Sequence, residues 1–229
     1  MGSEATKLRR ARYTGGMTLS TVLDKPVTYA IGDLHGEVTL LKRLLAQLPL
    51  RDDDTLVFLG DYLDRGEDSA ATIATLRDVA RAHRASVFLR GNHEDAWLTY
   101  WDGVRFKRVP EVDGARKAWD DFGGAIPIEV GQWIAGTPIE YEDEHAYYVH
   151  AGVLPGKPVW RTAGLLKLWG ADGFRESAYD WGKPVVFGHW QLPEPLLQPN
   201  KIGIDTGAFR TGILTAVRLP DRAIFQARR

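Results

Sequence analysis

Five short apolar runs in this chain are each followed at once by side chains that bind metals or phosphate. Val27–Gly32 delivers Asp33 and His35, and Thr55–Gly60 delivers Asp61, Asp64 and Arg65. Ser86–Gly91 delivers Asn92, His93 and Glu94. Further on, Ala146–Val149 is followed by His150, and Val185–Phe187 by Gly188 and His189. An aspartate or histidine at the mouth of a buried strand is costly to desolvate alone, and a metal ion is its usual partner. Each cluster taken singly has an ordinary explanation, since Asp caps helices and a lone His is commonly a hydrogen-bonded structural residue. Capping does not explain why five runs finish this way. Asp33, His35, Asp61, Asn92, His150 and His189 are all oxygen or imidazole ligands suited to Mn, Fe or Zn.

The segments between these runs place them. Val38–Leu48 sets Leu40, Leu41, Leu44, Leu45 and Leu48 on one helical stripe, ended by Pro49. Ser69–His83 and Glu94–Tyr100 read as further helices, giving a β-α-β-α-β-α rhythm and so a parallel or mixed sheet covered by helices. Ligands bind such sheets at the carboxyl ends of the strands, where the polar clusters fall. Trp101–Asp113 reads as a charged loop, with short helices over Ala115–Phe122 and Ile128–Trp133. Strands follow at Pro138–Tyr141, Ala146–Val149 and Val185–Phe187, then a proline-rich loop over Gln191–Asn200. The last strands lie at Lys201–Ile204, Ile213–Arg218 and Ala223–Ala227. His83 and His145 read as solvated, and the eight tryptophans mainly as core, with Trp190 beside His189 a candidate pocket wall.

Composition narrows the chemistry. The formal net charge is -1, so no global field draws in nucleic acid or anionic lipid. Cysteine is absent, which removes thiolate metal sites and cysteine nucleophiles together. No apolar run approaches the roughly 20 residues that span a bilayer. Met1–Gly16 carries Lys7, Arg9, Arg10 and Arg12 without an apolar stretch behind them, and reads as a tail or leader. The expectation is a single catalytic domain over residues 17–229, with Met17 a plausible start, in a cytoplasmic monomer that binds neither nucleic acid nor membrane.

The motifs GDLHG (Gly32–Gly36), GDYLDRG (Gly60–Gly66), GNHE (Gly91–Glu94), HAG (His150–Gly152) and GH (Gly188–His189) resemble, in order, those of the calcineurin-like metallophosphoesterases. DRG with GNHE looks like the phosphoprotein phosphatase branch, of the bacterial serine/threonine type. The related dinucleoside tetraphosphate hydrolases tend to carry GNHD and a different residue before Arg-Gly. The resemblance implies an α/β fold of two mixed β-sheets packed as a sandwich with helices outside, four layers in αββα order. It implies two divalent metal ions, Mn²⁺ foremost, with Fe, Zn, Co or Ni as alternatives. Asp33 and His35 would bind the first ion, Asn92, His150 and His189 the second, and Asp61 both. Two ions about 3.5–4 Å apart lower the pKa of a shared water from about 15.7 towards neutrality, and the hydroxide attacks phosphorus directly.

His93 would then be the general acid, oriented by Asp64, while Arg65 offers a planar fork to phosphate, assisted by Asn92 and His93. Glu94 reads as the start of a helix rather than a chemical group. The family places a second phosphate-binding arginine between the last two histidines, where this chain has only Arg161 and Arg175. The expected activity is hydrolysis of phosphoserine and phosphothreonine in proteins. The alternatives are hydrolysis of dinucleoside polyphosphates or another small phosphoester and, in a different class, a metal-stabilised binding protein without turnover.

Overall fold

The computed structural model describes residues 25–229; the basic segment Met1–Gly16 and Met17 lie outside the described residues. Strand β1 (Thr28–Ile31) is buried along its whole length, and its period of two feeds two interiors. Tyr29 and Ile31 join a core shared with helices, whereas Ala30 joins one lying between two sheets. β2 (Thr55–Phe58) repeats the pattern, Leu56 and Phe58 against helices and Val57 between sheets. A run buried on both faces explains why these strands read as continuously apolar.

The first sheet has the order β10-β9-β1-β2-β3, with β3 at Ser86–Phe88, β9 at Ile213–Leu219 and β10 at Ala223–Arg228. β1, β2 and β3 are parallel, and β9 is antiparallel to β1. The second sheet has the order β4-β5-β6-β8-β7, from β4 (Glu140–Glu142), β5 (Tyr147–Val149), β6 (Val185–Phe187), β7 (Leu196–Leu197) and β8 (Lys201–Gly203). Here β5, β6 and β8 run parallel. Ala30, Val57, Leu89 and Val217 of the first sheet meet Tyr148, Val186 and Ile202 of the second, so the sheets pack face to face as expected.

Helices cover the outer face of the first sheet. α1 (Val38–Gln47) buries Val38, Leu40, Leu41 and Leu44, the predicted stripe. α2 (Ser69–Ala82) starts at Asp68, whose carboxylate accepts the Ala71 N–H at 2.8 Å. α3 (Asn92–Leu98) begins two residues before the expected Glu94, so Asn92 and His93 sit in its first turn. α4 (Ala115–Asp121) and α5 (Ile128–Ala135) match the two short helices expected there. The outer face of the second sheet is covered more thinly, by the two-turn α6 (Gly164–Trp169), a 3₁₀ turn at Val159–Arg161 and the loop carrying Phe174 and Trp181.

Several expectations are corrected. The Pro138–Tyr141 strand runs instead over Glu140–Glu142, because the Pro138 carbonyl is spent on the Arg90 N–H. The proline-rich loop contains β7, and α6 and α7 (Ala208–Thr211) were not legible in the pattern. His83 is half-buried with Nε2 2.6 Å from the Asp54 carbonyl, and the His145 side chain is only 14% exposed, so both are partly shielded rather than fully solvated. Trp97 and Trp181 are core residues, but Trp160 and Trp169 are exposed. Among the described residues no helix is long and apolar enough to cross a membrane.

Candidate metal and phosphate site

The loops leaving β1, β2, β3, β5 and β6 converge at one end of the sandwich. Of the six described non-glycine residues with positive φ, five are here: His35 (42°), Asp61 (51°), Asp64 (74°), Arg65 (63°) and His189 (62°). Left-handed backbone at bulky residues is disfavoured, and its concentration in one place marks a site whose geometry the surroundings enforce. Two glycines make the close approach possible. A Cβ at Gly91 would stand 2.1 Å from Asp61 Oδ1, and one at Gly188 would stand 2.0 Å from Asp33 Oδ1.

The six expected ligands come together. Asp61 Oδ2 lies 3.4 Å from His35 Nε2, and Asp61 Oδ1 lies 3.5 Å from His150 Nε2. Asn92 Oδ1 is 2.8 Å from His150 Nε2 and 2.9 Å from His189 Nδ1. Asp33 Oδ2 accepts the His189 N–H at 3.0 Å, which ties the end of β1 to the end of β6. His35 Nδ1 donates to the Leu63 carbonyl at 3.0 Å and His150 Nδ1 to that of Leu59 at 2.8 Å. Each imidazole therefore keeps its lone pair on Nε2, aimed inward, the second-shell arrangement that readies a histidine for a metal. Burial lowers the His35 pKa to about 3 and that of His189 to about 4, so both are neutral near pH 7.

Two groups of potential ligand atoms result, each within 4.8 Å of one another: His35, Asp61 and His93, and Asp61, His150 and His189. Asp61 is common to both. The residues fit a cation well. Asp33 Oδ1 is buried without a hydrogen-bond partner, and Asp33, Asp61 and Asp205 crowd together at 2%, 2% and 3% exposure. Burial raises the Asp33 pKa, and the nearby Asp205 and Asp61 raise it further. Burial alone would also raise that of Asp61, but the surrounding His150, His93 and His35 outweigh it and hold it low. A cation among these carboxylates would relieve both the desolvation and the repulsion.

Beside the ligands lie the groups expected to act on phosphate. His93 Nδ1 is 2.6 Å from Asp64 Oδ2, and Asp64 Oδ1 accepts the Trp97 indole N–H at 3.1 Å. Burial pulls the His93 pKa down, but the Asp61 charge and the bond to Asp64 prevail and leave it raised. Arg65 Nη1 donates to His35 Nε2 at 2.7 Å, while its Nε lies 3.3 Å from Asp113. Arg175 stacks over Trp190 at 4.5 Å, and that indole in turn meets the His189 ring edge-on at 4.9 Å. Arg161 is exposed and stacks on the exposed Trp160 instead.

Two residues were underrated or missed. Glu94 does begin a helix, but its buried carboxylate also accepts the backbone N–H groups of Gly91 (3.0 Å), Asp61 (2.8 Å) and Tyr62 (2.8 Å). It clamps the strained turn that presents Asp61. Asp205 escaped notice although Lys201–Ile204 is a sixth apolar run closed by an acid, the same signal as the other five.

A family model described as calcineurin-like phosphoesterase matches residues 27–205. A symmetrical bis(5'-nucleosyl)-tetraphosphatase of Janthinobacterium sp. is 28% identical, over 88% of this chain and 96% of its own length. The asymmetrical bis(5'-nucleosyl)-tetraphosphatase PrpE of Oceanobacillus iheyensis is 26% identical, over 84% and 88%. A crystal structure of a candidate diadenosine tetraphosphatase superposes with a TM-score of 0.67 at 22% identity, covering 89% of this chain and 93% of that one.

Proposed function

We propose that this chain, which belongs to the calcineurin-like phosphoesterase family, hydrolyses dinucleoside polyphosphates at a centre of two divalent cations sharing Asp61. The observation that carries the catalytic part is the pair of ligand groups that meet at Asp61. The substrate class follows the relatives named above. The protein phosphatase subtype suggested by DRG and GNHE is not backed by these relatives, which are named tetraphosphatases, and Glu94 itself faces backbone. Its identity therefore reports loop architecture, and a shared site does not define a substrate.

When bound, paired divalent cations polarise phosphoryl oxygens and bring the pKa of a water towards neutrality, with Mn²⁺ the favoured ion and Fe or Zn accepted by the same donors. Asp33 and His35 would hold one, Asn92, His150 and His189 the other. Asp33 is preferred to His93 in the first set because its Oδ1 is unpartnered, whereas His93 Nδ1 is committed to Asp64. That commitment leaves Nε2 to carry the transferable proton, and the raised pKa favours its retention relative to a free imidazole. Arg65 gives up its bond to His35 to grip phosphate oxygens as a planar fork. Arg175, parked on Trp190 beside His189, is the second phosphate arginine, and Arg161 is not.

One observation favours a second reading, hydrolysis of phosphomonoesters such as phosphoserine. A diphosphate leaves with little proton help, whereas an alkoxide needs an acid of the kind that His93 and Asp64 supply. Turnover of diadenosine tetraphosphate, a phosphoserine peptide and bis-p-nitrophenyl phosphate by the Mn²⁺-loaded protein separates the readings. The expected outcome is a kcat/KM for diadenosine tetraphosphate at least about tenfold above the peptide, roughly 1.4 kcal/mol in the barrier. The reverse order would replace the first reading by the second.

A further inference from the structure

Beside Arg65 lies an open cavity of about 420 Å³, lined by Glu37, Thr39, Arg65, Glu67, Phe209 and Arg229. That volume falls in the roughly 300–1,000 Å³ range of small-molecule sites. Short steps connect it to the chemistry. The Arg65 guanidinium lies 5.0 Å over the Phe209 ring, and that ring meets His35 edge-on at 5.3 Å. The His35 ring is 4.7 Å from His93. The cavity therefore adjoins the side of the centre on which the proton donor stands. Arg229 closes its rim, bonded through Nη2 to the buried Glu37 at 2.6 Å and to the Phe209 carbonyl at 3.4 Å. Its Nε and Nη1 remain as donors on a side chain that is 56% exposed.

We infer that this cavity is the subsite for the departing nucleoside phosphate, with its phosphate on Arg65 and Arg229 and its base against Phe209. The inference rests on the dinucleoside polyphosphate reading above. A substrate with a nucleoside at each end must leave one of them on the proton donor's side of the phosphorus attacked. One guanidinium over a half-buried aromatic ring, with a second on the cavity rim at that residue's carbonyl, matches a phosphate joined to a planar base. Glu67, held by the Thr39 N–H at 3.2 Å and hydroxyl at 2.9 Å, adds carboxylate acceptors. These suit ribose hydroxyls and oppose a bare polyphosphate, so the subsite selects nucleotides over inorganic chains.

Calorimetric titration of the Mn²⁺-loaded and metal-free protein with ADP, adenosine and pyrophosphate tests this. ADP should bind at least about tenfold more tightly than either fragment to the loaded protein. Phe209→Leu should weaken ADP about tenfold and pyrophosphate much less, with Phe209→Tyr restoring ADP binding, whereas Arg229→Met should weaken both. In both protein forms the ordering of the variants for ADP should be the same. In turnover, both variants should raise KM for diadenosine tetraphosphate several-fold more than KM for p-nitrophenyl phosphate, which has no second half. Equal losses on the two substrates, or ADP binding unchanged in Phe209→Leu and Arg229→Met, would overturn the subsite. A wild-type protein that hydrolyses diadenosine tetraphosphate while showing that result leaves the function standing. A wild type inert towards it but active on p-nitrophenyl phosphate removes the function, and the subsite with it.

Discussion

On the first sheet's side of Asp61, His35 has both ring nitrogens engaged, Nδ1 by the Leu63 carbonyl and Nε2 by Arg65. On the other side, Asn92 Oδ1 from the segment after β3 and His150 Nε2 and His189 Nδ1 from the second sheet face one another at 2.8–3.2 Å, with no cationic side chain among them. The first half also carries His93, Asp64 and the cavity beside Arg65, while the second carries Trp190 and Arg175. The asymmetry suggests a division of labour. On the function proposed above, the half with Arg65 and His93 would handle what departs, and the half where Asn92, His150 and His189 converge would chiefly hold a cation. Asp61 belongs to both, so it should be the residue at which the distinction disappears.

The largest expected effect tests that shared member. Asp61→Asn should abolish measurable turnover and reduce Mn²⁺ stoichiometry below two per chain by calorimetry. The loss should exceed the roughly 10–100-fold that a supporting residue costs. Two ions still bound at wild-type affinity would dissolve the comparison between halves. Next in size, His93→Gln should slow a phosphoserine peptide by about 10²–10⁴-fold and an aryl phosphate far less. Because Asp61 and Asp64 outweigh burial and leave the His93 pKa above that of a free imidazole, a proton-donor role predicts that wild-type kcat on the peptide holds at lower pH and falls as pH rises through that pKa. The alkaline limb should vanish in the variant; equal loss on both substrates would return His93 to the ligand set. The smallest effect belongs to Glu94→Gln, which keeps shape but weakens the grip on four backbone N–H groups. Activity should drop about 10–100-fold on every substrate alike, with Mn²⁺ affinity falling in parallel. A selective loss on one substrate would mean that Glu94 discriminates between them after all.

Much of this was legible in the chain itself. Asp33, His35, Asp61, Asn92, His150 and His189 could be collected because each follows an apolar run, and parallel strands place such ends together. Substrate class was not legible, because the residue used to judge it, Glu94, turns its carboxylate into the backbone of the next loop. The choice between Arg161 and Arg175 was hidden too. Arg175 is placed by a loop whose carbonyls at Phe174, Ser177 and Tyr179 are held by the buried Lys201 and by Asn200, contacts more than 20 residues apart in sequence. Short elements such as α7, bounded by Gly207 and Gly212 at φ of 69° and 70°, give no periodicity to read.

The hydrogen bond from the His189 N–H to Asp33, with Gly188 pressed against the same carboxylate, fastens one sheet to the other at the very spot where the ions would sit. Occupancy thereby becomes a rivet through the seam of the sandwich rather than an ornament on its rim. Ligation that favours the folded chain raises stability by about 2.7 kcal/mol at a hundredfold excess over Kd. Chelation should accordingly loosen the joint between the sheets before it disturbs the helices on the far face, and the melting temperature becomes a gauge of how full the centre is.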